Sequence, residues 1–249
     1  MKAMIFAAGL GTRLRPLTND RPKALVEVGG VTMLERVIMH LREAGITDIT
    51  VNVHHFGQQI IDFLEARHNF GLTIHISDER DCLLDTGGGI LHARQWLDGD
   101  EPFVVHNADI LTDLDLRAMM EHHSLSGAHA TILVKKRDTQ RYLLFDQDHR
   151  LQGWTNKKTG ELRPQSLTRE RALTLNELAF GGVHVISPSI FKELERYGRQ
   201  QAKFSITPFY VDHCHTLHIQ GYEPASQYRW LDVGKPETLA QAEALFSHS

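Results

Sequence analysis

The first twenty-five residues limit what this chain can fold into more than any other stretch. Met4-Ile5-Phe6-Ala7-Ala8 is a short apolar run of the kind that makes a buried strand, and it stops where Gly9 and Gly11 begin. Glycine tolerates positive φ and leaves its backbone bare, so a ligand can reach main-chain N–H groups there. Arg13, Arg15, Arg21 and Lys23 follow in quick succession, with Asp20 as the one acid among them. Backbone donors beside concentrated positive charge suit a polyanion such as a triphosphate. A lone G-x-G reads as readily as a tight turn before a solvated basic loop.

Two common phosphate-binding motifs fit poorly. Leu14 stands where a dinucleotide fingerprint needs its third small residue, and the G-x-x-x-x-G-K-[ST] of a Walker loop is absent. The run from Gly9 to Leu25 instead resembles, almost residue for residue, the signature G-x-G-T-R-L-x-P-L-T-x-x-x-P-K-P-L of the sugar-1-phosphate nucleotidylyltransferases. Ala24 replaces a proline common in that family, a change to loop stiffness rather than to chemistry.

A chain of 249 residues, 41% of them hydrophobic, can bury a sizeable core. Its formal charge of -4 argues against a nucleic-acid or membrane-surface binder, since the basic character is confined to the first loop. No apolar run approaches the ~20 residues of a membrane span, and Cys82 and Cys214 form no C-x-x-C pair. A cytoplasmic protein is expected, with monomer and dimer equally open. His213, Cys214, His215 and His218 lack the framing of a zinc motif.

Hydrophobic periodicity predicts a βαβαβ start. Thr32 and Glu35 form a capping box ahead of the apolar helix face Met33, Leu34, Val37, Ile38 and Leu41, and Gly45 ends that helix. Ile49, Val51 and Val53 read as a strand with Asn52 near its C-terminal edge, where ligands of open parallel sheets gather. After a second helix and the strand 72–76, Thr86-Gly87-Gly88-Gly89 is expected to be a glycine loop opening into a helix. Phe103 to His106 is the next strand, followed by Asn107 and Asp109; that Asp can hold a cation at the sheet edge or cap a turn. The rhythm then changes to a hairpin over 142–154. A polar stretch, 156–174, reads as a mobile loop over the site. The strand 180–186 carries Gly181 and Gly182 mid-run, which marks a bulge or a close ligand approach. The expected fold is α/β, a Rossmann-like three-layer αβα sandwich with a mostly parallel central sheet. One domain should span residues 1–249, with a sugar-binding subregion at about 136–187.

The resemblance extends along the chain. Trp230-Leu231-Asp232-Val233-Gly234-Lys235-Pro236-Glu237 is similar to the family's W-x-D-x-G-T-P-E element, with Lys235 for Thr. The family implies transfer of a nucleoside monophosphate from an NTP to a sugar 1-phosphate, with loss of pyrophosphate. By that resemblance Arg13 and Lys23 are the catalytic cations, and Asp109 and Asp232 hold Mg²⁺. Ala8, Gly9, Gly11, Thr12, Asn52, Thr86, Gly87, Gly88 and Asn107 meet the nucleotide. Lys157, Asn176, Glu177, Gly181 and Gly182 meet the sugar; the family's E-K-P is here Asn156-Lys157-Lys158, without the Glu. If the strands before Asp109 and Asp232 both belong to the central sheet, their ends can bring two carboxylates to one cation. The length and the T-G-G-G-I run look most like the N-acetylmuramate 1-phosphate uridylyltransferases of cell-wall recycling. Mannose- or heptose-1-phosphate guanylyltransferases, phosphocholine cytidylyltransferases and a catalytically silent sugar-nucleotide sensor share the frame.

Overall fold

The computed structural model describes residues 1–246. The chain opens with β1 (Lys2–Phe6), and the basic run after it closes into two 3-10 turns, Thr12–Leu14 and Lys23–Leu25. A small hairpin, β2 (Glu27–Val28) and β3 (Val31–Thr32), leads into α1 (Met33–Glu43). Thr32 caps α1 by accepting from the Glu35 N–H at 3.2 Å. The Glu35 carboxylate turns to Arg67 at 2.9 Å instead, so one half of the capping box forms. Next come β4 (Asp48–Val53), α2 (Gly57–Ala66), β5 (Thr73–Asp78), α3 (Asp85–His92), α4 (Arg94–Leu97) and β6 (Phe103–Asn107). They are followed by β7 (Ile110–Thr112), α5 (Leu116–Ser126) and β8 (Ala130–Lys135). A flap of β9 (Arg141–Phe145), β10 (Leu151–Asn156) and β11 (Glu161–Arg163) then precedes α6 (Arg169–Ala172) and the long β12 (Asn176–Ile186). The chain finishes with α7 (Phe191–Gly198), α8 (Ile206–Asp212), β13 (Ile219–Tyr222), β14 (Trp230–Asp232) and α9 (Pro236–Phe246). None of the described helices is long and apolar enough to cross a membrane.

The central sheet has the order β11-β10-β9-β12-β6-β1-β4-β5, with β8 paired to β12 and β13 paired to β8. Its β6-β1-β4-β5 part is parallel, and β12 joins β6 antiparallel. Because strand side chains alternate, β1 sends Met4 to one face and Ala3 and Ile5 to the other. Met4 packs under α3, α4, α7 and α8, through Ile90, Leu97, Phe191 and Phe209. Ala3 and Ile5 pack under α1, α2 and α5, through Leu34, Ile60 and Met119. These are the three layers that the periodicity implies. A third cluster, Val26, Val28, Met33, Leu111, Val233, Ala242 and Phe246, ties the end of the chain to its basic start.

Three expectations are corrected. The glycines at 87–89 lie inside α3, not in a loop ahead of it. A Cβ on Gly87 would strike the Phe204 ring, and one on Gly88 the Ala202 carbonyl. A helix with three glycines is poor in propensity, and it is held by close docking of the segment before α8. The stretch 156–174 is not one loop: β11 extends the flap and α6 follows, capped by Thr168. And β14 lies outside the central sheet, in a two-stranded ladder with β7. The glycine-bearing strand does contain its bulge: β12 shifts register against β8 between Phe180 and His184, with Gly182 at φ 76°.

Three buried histidines set the acid limit of this fold. Burial holds His106 and His184 neutral down to a pKa of about 3, and His123 to about 4. In the unfolded chain such rings protonate near pH 6.5. Between those values the unfolded state binds more protons, so stability is complete above about pH 6.5 and declines as the pH falls. Each ring removes up to ~1.4 kcal/mol per pH unit. Against a typical stability of roughly 5–15 kcal/mol, cooperative unfolding is expected near pH 5. A circular-dichroism titration checks this, and a midpoint at the carboxylate range, below about pH 4, would contradict it.

Candidate active site

Ala7, Asn52 and Asn107 mark the carboxyl edge of the parallel strands, where such sheets bind ligands. There Asn52, which is buried, accepts from the Ala7 and Ala8 N–H groups at 2.8 and 3.2 Å. Its amide donates to Glu79 at 2.8 Å, and the other Glu79 oxygen accepts from the Leu84 N–H at 3.0 Å. Glu79 therefore ties the exit of β1 to the start of α3, the two walls of a cavity of about 210 Å³. Sequence reasoning missed Glu79; its signal was an acid directly after the β5 strand.

That chain of bonds engages polar groups of two expected nucleotide residues. The Asn52 side chain is committed to the protein, and so is the Ala8 N–H. Gly9, Leu10 and Gly11 keep backbone N–H groups that make no bond within the described residues. Gly11 has φ 64°, and a Cβ there would meet both Lys23 and Thr18 at 3.0 Å, so the loop turns tightly over the lysine. Ala8, Gly9, Lys23, Asn52, Thr86, Asn107 and Asp109 line the cavity, whereas Gly11, Thr12, Gly87 and Gly88 do not. The Thr86 hydroxyl accepts from the Ile206 N–H at 2.9 Å and so fixes α3 to α8.

Glu79→Ala should leave one buried donor on Asn52 and one partly buried donor on Leu84 without acceptors, at up to roughly 1–3 kcal/mol for the buried one. We expect a lower Tm and a nucleotide KM that rises more than kcat falls. Thermal melts and initial-rate kinetics read both, and an unchanged KM would remove Glu79 from the site.

Lys23, nearly buried, bonds the Asp109 carboxylate. The ladder between β7 and β14 places Asp232 opposite Ile110, and the Val233 N–H donates to the Asp109 carbonyl at 2.8 Å. Two carboxylates 123 positions apart in sequence are thus neighbours. Asp232 is held above the ordinary carboxylate range by burial and then by Asp109, against the opposing pull of Lys23, Arg13 and Arg137. One of its oxygens, Oδ1, is buried with no hydrogen-bond partner. An orphaned carboxylate oxygen beside a second carboxylate fits a small hard cation that keeps water or phosphate oxygens as its other ligands. No group of three or more His, Cys, Asp or Glu residues able to hold a metal occurs among the described residues.

Beyond Asp109 lies a second cavity of about 730 Å³, lined by Arg13, Asn107, Asp109 and Asp232 together with the flap and α8. Of the expected sugar residues, Gly182 lines it, and a Cβ there would meet Ile110 at 2.6 Å. Gly181 packs on Leu133. Lys157 and Glu177 pair with each other on the exposed edge of the flap, and Asn176 donates to the Asp146 carbonyl at 3.4 Å. In their place the cavity presents Arg137, Thr139, Arg141, Trp154, Asn156, Glu161, Arg163 and Trp230. The alternation of the flap strands was the sequence signal that could have found Arg141, Trp154, Asn156, Glu161 and Arg163.

Known proteins resemble this chain along nearly its whole length. The family model described as nucleotidyl transferase matches residues 2–248. The chain is 35% identical over 248 residues to the N-acetylmuramate alpha-1-phosphate uridylyltransferase of Caulobacter vibrioides, covering 97% of this chain and 95% of that protein. It is 34% identical over 245 residues to the enzyme of the same name from Neisseria meningitidis serogroup B, covering 98% of each. Among solved structures, a Bacillus anthracis protein provisionally described as a glucose-1-phosphate thymidylyltransferase, in complex with sucrose, superposes with a TM-score of 0.82. The match covers 100% of this chain and 96% of that one at 20% identity, a likeness of fold.

Proposed function

Because the chain belongs to the nucleotidyl transferase family, we propose that it transfers a uridylyl group from UTP to N-acetylmuramate 1-phosphate, releasing pyrophosphate. The observation that carries the substrate is full-length similarity to two enzymes of that name. The observation that supports the chemistry is the convergence of Lys23, Arg13, Asp109 and Asp232 where the two cavities meet.

In this reading the smaller cavity takes the nucleotide and the larger one the sugar. An oxygen of the sugar phosphate attacks the α-phosphorus of UTP, and the bond from that phosphorus to the bridging oxygen of the β-phosphate breaks. The attacking group is already an anion, so no general base is needed. The physical difficulty is one anion approaching another, and the chain answers it with fixed positive charge. Lys23 bridges the α-phosphate and the acceptor phosphate, and Arg13 holds the departing pyrophosphate. The N–H groups of Gly9, Leu10 and Gly11 bind phosphate oxygens. Asp109 and Asp232 would hold Mg²⁺, which when bound supplies charge stabilisation to the phosphates. Pyrophosphate release from a matrix of NTPs and sugar 1-phosphates tests the proposal. Strongest turnover with UTP and N-acetylmuramate 1-phosphate is the expected result; a preference for GTP with mannose 1-phosphate would replace it.

A further inference from the structure

The wall of the larger cavity is one face of the flap. Arg141, Asn156 and Glu161 are cross-strand neighbours on β9, β10 and β11. Two residues along, Leu143, Trp154 and Arg163 form a second row. Side chains two apart share a strand face, and all six line the cavity. Trp154 offers an aromatic plane of the kind that stacks on a sugar ring, with the Arg163 guanidinium 5.8 Å from its centre. Arg163 is already neutralised, its Nε donating to Glu161 at 2.7 Å. The Arg141 guanidinium makes no hydrogen bond or ion pair within the described residues. Lys23 bonds Asp109, Arg13 and Asp232 both lie against Gly234, and Arg137 lies over the Trp230 ring, which sets those three cations at the reacting end; Arg141 stands on β9 of the flap.

The flap therefore adds one uncompensated positive charge, on a planar donor fork, beside an aromatic platform. A neutral hexose has nothing to match it. We infer that Arg141 determines specificity by binding a carboxylate carried on the sugar ring, in a bidentate pair, while Trp154 stacks on the ring. This rests on the proposed assignment of the larger cavity to the sugar. It adds that the substrate class is an acidic sugar 1-phosphate, bearing a charge besides its phosphate, and that the flap reads it.

Matched substrate pairs give the test. N-acetylmuramate 1-phosphate differs from N-acetylglucosamine 1-phosphate by a lactyl ether carrying a carboxylate, and glucuronate 1-phosphate differs from glucose 1-phosphate by a carboxylate alone. The ratio of kcat/KM, acidic over neutral, is measured for the full chain and for Arg141→Met and Arg141→Lys, with thermal melts as the folding control. The parent protein should favour the acidic member, Arg141→Met should lower the ratio roughly 10- to 100-fold, and Arg141→Lys should recover part of it. Three outcomes overturn the inference: neither acidic substrate is used, the parent favours the neutral member, or Arg141→Met leaves the ratio unchanged. Equal losses on both members leave the ratio unchanged and would make Arg141 a phosphate ligand. If the glucuronate pair behaves as expected but N-acetylmuramate 1-phosphate is not a substrate, the proposed function fails and this inference stands. If N-acetylmuramate 1-phosphate is used with UTP and its ratio ignores Arg141, the reverse holds.

Discussion

Lys23→Ala should lower kcat/KM by about 10²–10³ in a protein that still folds. The lysine is nearly buried, its stem is gripped under the turn at Gly11, and its ammonium bonds Asp109 where the two cavities meet. A fixed ammonium in that position acts most strongly when charge moves between two phosphates, so the loss should fall mainly on kcat. Some stability should go as well, because Asp109 loses its partner; the open cavity lets water reach the carboxylate and limits that penalty to about 1–3 kcal/mol. Lys23→Arg should recover part of the rate, since a guanidinium keeps the charge but not the shape. Pyrophosphate-release kinetics on a variant with a normal circular-dichroism spectrum decide the matter. A kcat/KM within a few-fold of the parent would remove Lys23 from the chemistry.

The second large effect concerns Asp109 and Asp232. If both carboxylates serve one ion, Asp109→Asn or Asp232→Asn alone should each depress the rate sharply and raise the magnesium concentration needed for half-activity. The double variant should lose far less than the product of the two single losses, because groups that act as a unit do not add. Asp232→Asn should also raise Tm in the presence of chelator. It removes a half-buried carboxylate whose Oδ1 is buried without a partner and whose neighbour is another acid, a site where stability yields to function. Independent, multiplicative losses, or a parent enzyme indifferent to chelator, would deny the two aspartates a shared ion and return Asp109 to the role of a turn cap.

Part of this site is legible in the amino-acid sequence. The residues that converge at the junction of the cavities, Arg13, Lys23, Asp109 and Asp232, were found from a contiguous signature and two short motifs. What put them together was misjudged. Asp232 was expected at the end of a central-sheet strand, whereas β14 pairs with β7, and the third apolar cluster holds that ladder against the basic turns. A three-residue strand carries no information about which partner it will choose; packing of Val233 and Phe246 on Val26 and Val28 chooses it. The glycines of α3 misled for a related reason. Their bareness does serve a close approach, but of Phe204 and Ala202, residues more than a hundred positions away. Glu79 was hidden by a shorter separation, 27 positions from Asn52; its carboxylate matters because β4 and β1 are neighbours and bring Asn52 to the Ala7 and Ala8 N–H groups.

Local chemistry, then, is what the amino-acid order determined alone: the apolar run of β1, the apolar face of α1, the Thr32 cap, the glycine turn after β1 and the irregularity at Gly181-Gly182 in β12. Each depends on residues within a few positions of one another, whose preferences act before the chain is compact. The tertiary structure decided which cations stand at the reacting end and which in the flap, and it exchanged Lys157, Asn176 and Glu177 for Arg141, Trp154 and Arg163 in the wall of the larger cavity. That exchange follows from strand register, a period of two that turns one row of side chains inward and its neighbours out. Register is set by pairing with β12 and by the core beneath the flap, contacts that no local pattern of residues contains.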